Sequence, residues 1–100
     1  MPTYAFTSRA KRDFEKLTKK EQERFRRVVV EQFVPDLTTG GPFRPSLRVK
    51  GIQGAPGVYE MTWEKRDGRA TWQYGQEQRP GHPHIIWRRI GGHAIFGDAE

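Results

Sequence analysis

The sequence contains no cysteine. That excludes a disulfide framework, a thiolate metal site and a thiol nucleophile, and it fits a reducing cytoplasm. Long apolar stretches are missing too. The longest wholly apolar runs are three residues, as at 28–30 and 85–87, whereas a membrane span needs about 20 and the core of a signal peptide about 7–15. The expectation is a soluble, cytoplasmic protein with no membrane association and no export signal. No internal repeat, low-complexity tract or linker divides the chain, so residues 1–100 are expected to form one domain. At this size folding buries only about 60–65 % of the surface that the unfolded chain exposes. There is room for one core and one site.

Acidic residues are also scarce, 12 against 18 Lys and Arg, which leaves a formal charge of +6 and a pI near 10.1. Residues 1–50 hold 12 of the cations and 6 of the acids, and residues 51–100 hold 6 of each, so the whole excess lies in the first half. A one-sided basic surface attracts nucleic acid, an anionic membrane or an acidic protein. The hydrophobic share is only 34 %, a level that disordered chains share when they carry net charge. Twelve aromatic residues at regular spacing argue instead for a folded chain.

Tyr4-Ala5-Phe6-Thr7 reads as a strand, followed by a helix with Ser8 as its cap and Ala10, Phe14 and Leu17 on one face. Thr18-Lys19-Lys20-Glu21 is a capping box. Behind it Phe25, Val28, Val29, Gln32 and Phe33 fall at helical spacing, with Lys20, Arg24 and Arg27 on another face and Pro35 marking the end. After the Gly/Pro loop around residues 38–45 the period changes to two. Leu47-Arg48-Val49-Lys50 alternates apolar and basic residues, and residues 53–57 make a turn. In the strand over 58–64, Tyr59, Met61 and Trp63 share one face, with Glu60, Thr62 and Glu64 on the other. Asp67-Gly68 is a hairpin turn, and its partner strand turns Ala70, Trp72 and Tyr74 inward and Arg69, Thr71 and Gln73 outward. Residues 78–83 form a loop, and the strand over 84–90 is apolar on both faces, as a strand covered on both sides would be. The expected architecture is α+β, with an N-terminal strand and a helical hairpin on one face of a mostly antiparallel sheet of four or five strands. The uncovered face would then gather Arg48, Lys50, Glu60, Thr62, Arg69 and Gln73.

The helical hairpin, the 47–50 strand, Gly57-Val58-Tyr59-Glu60-Met61, Asp67-Gly68-Arg69 and the ending from Ile85 to Phe96 together resemble the RelE/ParE superfamily, the small toxins of bacterial type II toxin-antitoxin pairs. The likeness runs over most of the chain and rests on the order of these pieces. It implies a RelE-like fold, a cognate antitoxin as partner in a toxin-antitoxin hetero-oligomer, and, in the RelE branch, metal-independent cleavage of mRNA on the ribosome with no cofactor. Such cleavage needs a base for the 2′-OH, cations for the phosphorane and an acid for the 5′-oxygen. Where the strand lysines of RelE would fall, this chain has Glu60 and Thr62; the arginine before the terminal helix matches His93, and the tyrosine matches Phe96, which has no proton to give.

The catalytic candidates are therefore His93, Glu60 and Arg69, with Arg48, Lys50 and one of Arg88 and Arg89 holding phosphate. Each has a plainer alternative: His93 as an exposed or capping histidine, Glu60 paired with Arg48 or Arg69, Arg69 as an ordinary residue after a turn. Arg88 and Arg89 alternate, so only one can face the site. The cations at 19–27 form either a solvated helix face or a contact with ribosomal RNA. His82-Pro83-His84 is a poor metal site for want of acidic neighbours, and Trp87 is either core or a base-stacking ring. Two other functions remain open: a ParE-like inhibitor of DNA gyrase acting by protein contacts, and an inactive RelE-fold binding module.

Overall fold

The first helix begins one residue earlier than its sequence suggests. In the computed structural model, which describes residues 2–97 and so leaves the ends of the expected 1–100 domain outside, the cap of α1 (Ser8–Lys16) is Thr7, not Ser8. The Thr7 hydroxyl accepts the Ala10 N–H at 3.0 Å. Strand β1 (Thr3–Phe6) precedes it. The capping box forms as its sequence predicts: the Thr18 N–H donates to Glu21 Oε1 at 2.9 Å and the Glu21 N–H to Thr18 Oγ1 at 3.2 Å, starting α2 (Lys19–Val28).

Pro35 does not end this arm of the hairpin. A π-helical turn (Val29–Phe33), closed by the Val34 N–H on the Val29 carbonyl, intervenes before α3 (Val34–Thr39), which holds Pro35 in its first turn. A proline inside a continuous α-helix has no N–H to donate, and its ring strikes the carbonyl four residues back. The wider turn lets the helix restart just before the proline, where the missing donor has no partner to lose. Gly40, at φ 71°, then closes α3 in the left-handed conformation that glycine tolerates.

Strands β2 (Lys50–Ile52), β3 (Ala55–Thr62), β4 (Arg69–Arg79) and β5 (His82–Gly91) join β1 in a sheet ordered β1-β5-β4-β3-β2. β1 runs parallel to β5 and every other pair is antiparallel. This is the expected α+β architecture, with five strands. β5 has neighbours on both sides, although β4 is the middle strand. The loops expected at 53–57 and 78–83 shrink to tight turns, because β3 already starts at Ala55 and β4 runs on to Arg79.

Alternation turns Met61, Trp63, Ala70 and Trp72 towards the helical side, where Phe25, Phe33 and Leu37 complete the core. Phe33 stands edge-on to Trp72, with ring centres 5.1 Å apart, and lies 5.2 Å from Trp87. Trp87 is only 3 % exposed, so it is a core residue and not a base-stacking ring. Tyr74, expected on the same inner face, stays half exposed.

Residues 47–50 are not the strand their alternation predicts. Pro45–Leu47 form a single 3-10 turn, Arg48 takes a left-handed backbone (φ 48°, ψ 43°), and pairing with β3 begins only at Lys50, opposite Glu60. The cause lies upstream. The Asp36 carboxylate accepts from the Arg44 backbone N–H at 2.8 Å and from its Nε and Nη2 at 2.9 Å each, tying the chain to α3. The chain must then turn sharply before it can reach β3. The Arg44 guanidinium and N–H hold the Asp36 carboxyl down to about 2. A depressed carboxylate stabilises the fold above its unfolded pKa of about 3.9, and that stability is lost as pH falls through the folded value. Asp36→Asn is thus expected to lower the thermal midpoint at pH 7, with the two melting curves converging between pH 4 and pH 2. A gap at pH 2 as wide as that at pH 7 would contradict this account of the clamp.

Candidate functional site

The uncovered face of the sheet carries a groove of about 890 Å³. Glu60 and Thr62 on β3 and Arg69 on β4 lie in it, with residues 48–53 on one flank and His93 and Phe96 of the C-terminal 3-10 turn (His93–Gly97) on the other. Arg48, Lys50, Glu60, Arg69 and His93, all singled out by sequence, thus meet in one place, although they come from four separate segments.

The register explains how they meet. Lys50 sits opposite Glu60 and Thr62 opposite Arg69, so β2, β3 and β4 present these side chains on a common face. Lys50 Nζ lies 3.3 Å from Glu60 Oε1; the Lys50 side chain is largely exposed and that of Glu60 only 16 % exposed. Glu60 therefore does pair across the strands, but with Lys50 and not with Arg48 or Arg69. Glu64 does not join this face. Its Oε1 accepts the N–H groups of Asp67 at 2.8 Å and Gly68 at 3.3 Å, which hold the Glu64 carboxyl below its usual range. The hairpin turn is fixed in this way, and Arg69 is fixed with it: its Nη1 donates to the carbonyls of Gly68 at 2.9 Å and Glu64 at 3.2 Å. A guanidinium tethered by one nitrogen keeps its remaining donors in a defined direction.

The same turn positions the histidine. Asp67 Oδ1 accepts the His93 backbone N–H at 2.9 Å and lies 2.8 Å from His93 Nδ1. Both contacts push the Asp67 carboxyl below its ordinary range. With Nδ1 committed to the carboxylate, Nε2 is the ring atom left to exchange a proton. The approach depends on Gly92, where a Cβ would come within 2.0 Å of Asp67 Oδ2, and the turn is seated by Ile95, which is 5 % exposed and packs on Gly91. Phe96 stands beside the imidazole, ring centres 6.3 Å apart, and is 40 % exposed.

No protein-family model and no curated protein matches the chain by sequence. Solved structures do. The isolated Escherichia coli RelE toxin superposes with a TM-score of 0.62 at 15 % identity, covering 97 % of this chain and 93 % of that one. A chain of the E. coli DinJ-YafQ complex gives 0.61 at 10 % identity over 98 % of this chain and all of that one. The YoeB/ParE toxin from Agrobacterium tumefaciens gives 0.63 at 11 % identity over 91 % and 98 %. The fold is that of RelE. Identities this low speak for the backbone and not for the chemistry.

Within the RelE fold of this chain, the arginine pair of β5 lies apart from the groove. Register slips between Thr71 and Trp72, so that Thr71 faces Arg89 and Trp72 faces Trp87, leaving Arg88 as the extra residue of a bulge. Strict alternation of the two arginines, which the sequence reading assumed, therefore fails. Arg89 is 8 % exposed and its Nε lies 2.7 Å from Asp13 Oδ2, so it is a structural residue and not a phosphate ligand. Arg88 bonds the Gln73 side chain on the open face. Of His82 and His84, both of which lie on β5, His84 is buried with Nδ1 2.7 Å from the Thr3 hydroxyl.

Asp67 and Gly92 are the site residues that sequence reasoning missed. Asp67-Gly68 carried a sufficient explanation as a hairpin turn. The only available signal was that a glycine pair immediately precedes the histidine.

Arg48 poses a separate question, because a non-glycine residue at positive φ costs about 1–2 kcal/mol. It is exposed, and among the described residues no side chain partners it. Arg48→Gly would remove the strain but add unfolded-state entropy worth about 0.5–1 kcal/mol. The thermal midpoint is expected to hold or to rise by up to about 5 °C. A fall of that size would mean that the side chain is held there for packing.

Proposed function

We propose that this protein is the toxin of a type II toxin-antitoxin pair and that it cuts mRNA without a metal ion, on the ribosome. The observation that supports the reading is the groove itself, where three cations, a carboxylate and a carboxylate-oriented imidazole converge on one uncovered sheet face.

The chemistry follows from these groups. The Glu60 carboxylate takes the proton of a 2′-OH, and the 2′-oxygen attacks the adjacent phosphorus. Arg69, Arg48 and Lys50 stabilise the negative charge on the phosphorane oxygens. The 5′-oxygen leaves with a proton from His93 Nε2, giving a 2′,3′-cyclic phosphate and a 5′-OH end. His93 regains a proton from water and Glu60 releases one. Asp67 touches no substrate and acts as a positioning residue through Nδ1. Phe96 supplies the exposed ring on which a neighbouring base stacks.

The solved structures with this fold include the intact E. coli RelBE toxin-antitoxin complex and the RelB-RelE antitoxin-toxin complex from Methanococcus jannaschii. By that analogy the partner of this chain is an antitoxin whose acidic or amphipathic segment covers the groove. Induction of the wild type in a sensitive host is the test. Growth arrest with new 5′-OH ends in messenger RNA, both lost in His93→Ala, supports the reading. Loss of DNA supercoiling with intact transcripts would replace it with gyrase inhibition by protein contacts, and the absence of any growth effect would leave a binding module.

A further inference from the structure

The groove does not end at Thr62. A second depression, of about 460 Å³, has the polar residues Arg24, Gln32, Ser46, Arg48, Thr62, Glu64 and Lys65 around an apolar floor of Val28, Pro45 and Trp63, and it shares Arg48 and Thr62 with the first. The two adjoin at the end of β3, the second lying against α2 and the π-turn through Arg24, Val28 and Gln32. Arg48, the single non-glycine residue at positive φ among the described residues, stands at the corner. Its exposed side chain lines both clefts and has no partner side chain among the described residues, which leaves it free to hold an anionic ligand there.

We propose that this second arm is the track for the single-stranded RNA that flanks the scissile bond. The inference rests on the reading of the first groove as the cleavage site. The arm is cationic at Arg24, Arg48 and Lys65. Its one carboxylate, Glu64, already accepts the turn N–H groups of Asp67 and Gly68 and stands in the field of Arg24. Ser46, Thr62 and Gln32 add neutral polar groups of the kind that contact sugar and phosphate. A protein partner is the poorer fit, because protein interfaces centre on exposed aromatic and aliphatic anchors. The most exposed large apolar side chains, Tyr4 and Val30, line a different cleft, between β1 and the helices. The arm reads no bases and so serves any sequence.

The test uses the intact protein and RNA fully 2′-O-methylated to block cleavage, in strands of 4 and 12 nucleotides, followed by amide chemical shifts and affinity. Both strands are expected to shift the amides of Glu60, Arg69 and His93, and only the 12-mer those of Gln32, Ser46 and Lys65. Arg24→Gln/Lys65→Gln should weaken the 12-mer about 10-fold and leave the 4-mer unchanged. It should also reduce the salt slope of the 12-mer by about 1.4, the value for two phosphate contacts on a single strand. Arg24→Lys should restore part of the affinity. If the 12-mer binds no better than the 4-mer, or the double variant binds both as the wild type does, the track is wrong while the cleavage site stands. If neither strand shifts the groove, or an acidic peptide shifts the second arm and RNA does not, the track is overturned, while cleavage on the ribosome is judged separately by the new 5′-OH ends in messenger RNA.

Discussion

His93→Ala is expected to reduce RNA cleavage by at least 100-fold with little change in the thermal midpoint. The size follows from general acid catalysis, which contributes about 10²–10⁴ in rate. The indifference of stability follows from exposure, since the His93 and Asp67 side chains are both more than half accessible. Two further variants separate the proton donor from what orients it. Asp67→Asn can still accept the His93 backbone N–H but has lost its charge, and it should lower kcat by about 10-fold or more at unchanged KM. Gly92→Ala places a methyl where Asp67 Oδ2 now lies, so Asp67 must swing into solvent. It should mimic Asp67→Asn in kcat while every groove cation remains in place. Full activity in Gly92→Ala, with the histidine still needed, would show that Asp67 positions nothing. The depressed Asp67 carboxyl gives the acid limit its sign. The contact to His93 is present above the ordinary carboxylate range and is lost as pH falls through the lowered value, so the difference between wild type and Asp67→Asn should shrink at the acid end.

The sequence made the layered architecture readable because each layer has its own period. Phe25, Val28, Val29 and Phe33 recur at helical spacing, whereas Met61, Trp63, Ala70 and Trp72 alternate, and burial simply follows. Local chemistry that satisfies itself was equally legible, as in the Thr18 and Glu21 capping box. Reading failed where a remote contact redirects the backbone. Leu47-Arg48-Val49-Lys50 has a strand pattern, but Asp36, eight residues before Arg44, ties down the approach and forces Arg48 into the left-handed region. Pro35 looks like a stop because a π-turn leaves no mark in composition. Lys50, Glu60, Thr62 and Arg69 were found by parity, which needs only β2, β3 and β4; His93 came from the resemblance, and Arg48 from the alternation of a strand that begins only at Lys50. Asp67 was not found, because its partner lies 26 positions away across a turn that already accounted for it.

The second large effect concerns stability, and it falls on the residue that sequence placed at the site and the structure removes from it. Beyond Phe6, β1 no longer covers the edge of β5, and α1 takes over its hydrogen bonds. The Thr7 N–H donates to the Trp87 carbonyl at 3.0 Å and the Thr7 hydroxyl to that of Arg88 at 3.1 Å. Asp13 Oδ2 accepts both the Ile90 N–H at 3.0 Å and Arg89 Nε at 2.7 Å. The two charged side chains are 9 % and 13 % exposed. Removing one member of a buried pair costs about 3–5 kcal/mol, because the other charge stays out of water. Asp13→Ala is therefore expected to lower the thermal midpoint by roughly 15–30 °C, a large part of the about 5–15 kcal/mol that holds a domain of this size. Asp13→Asn retains an acceptor for the Ile90 N–H and should lose less. The double variant Asp13→Leu/Arg89→Met, which buries no charge, should regain most of the difference. The control that decides between structure and phosphate binding is Arg89→Met alone, assayed well below its melting temperature. RNA affinity equal to wild type is expected, and a selective loss of affinity in a folded protein would return Arg89 to the site.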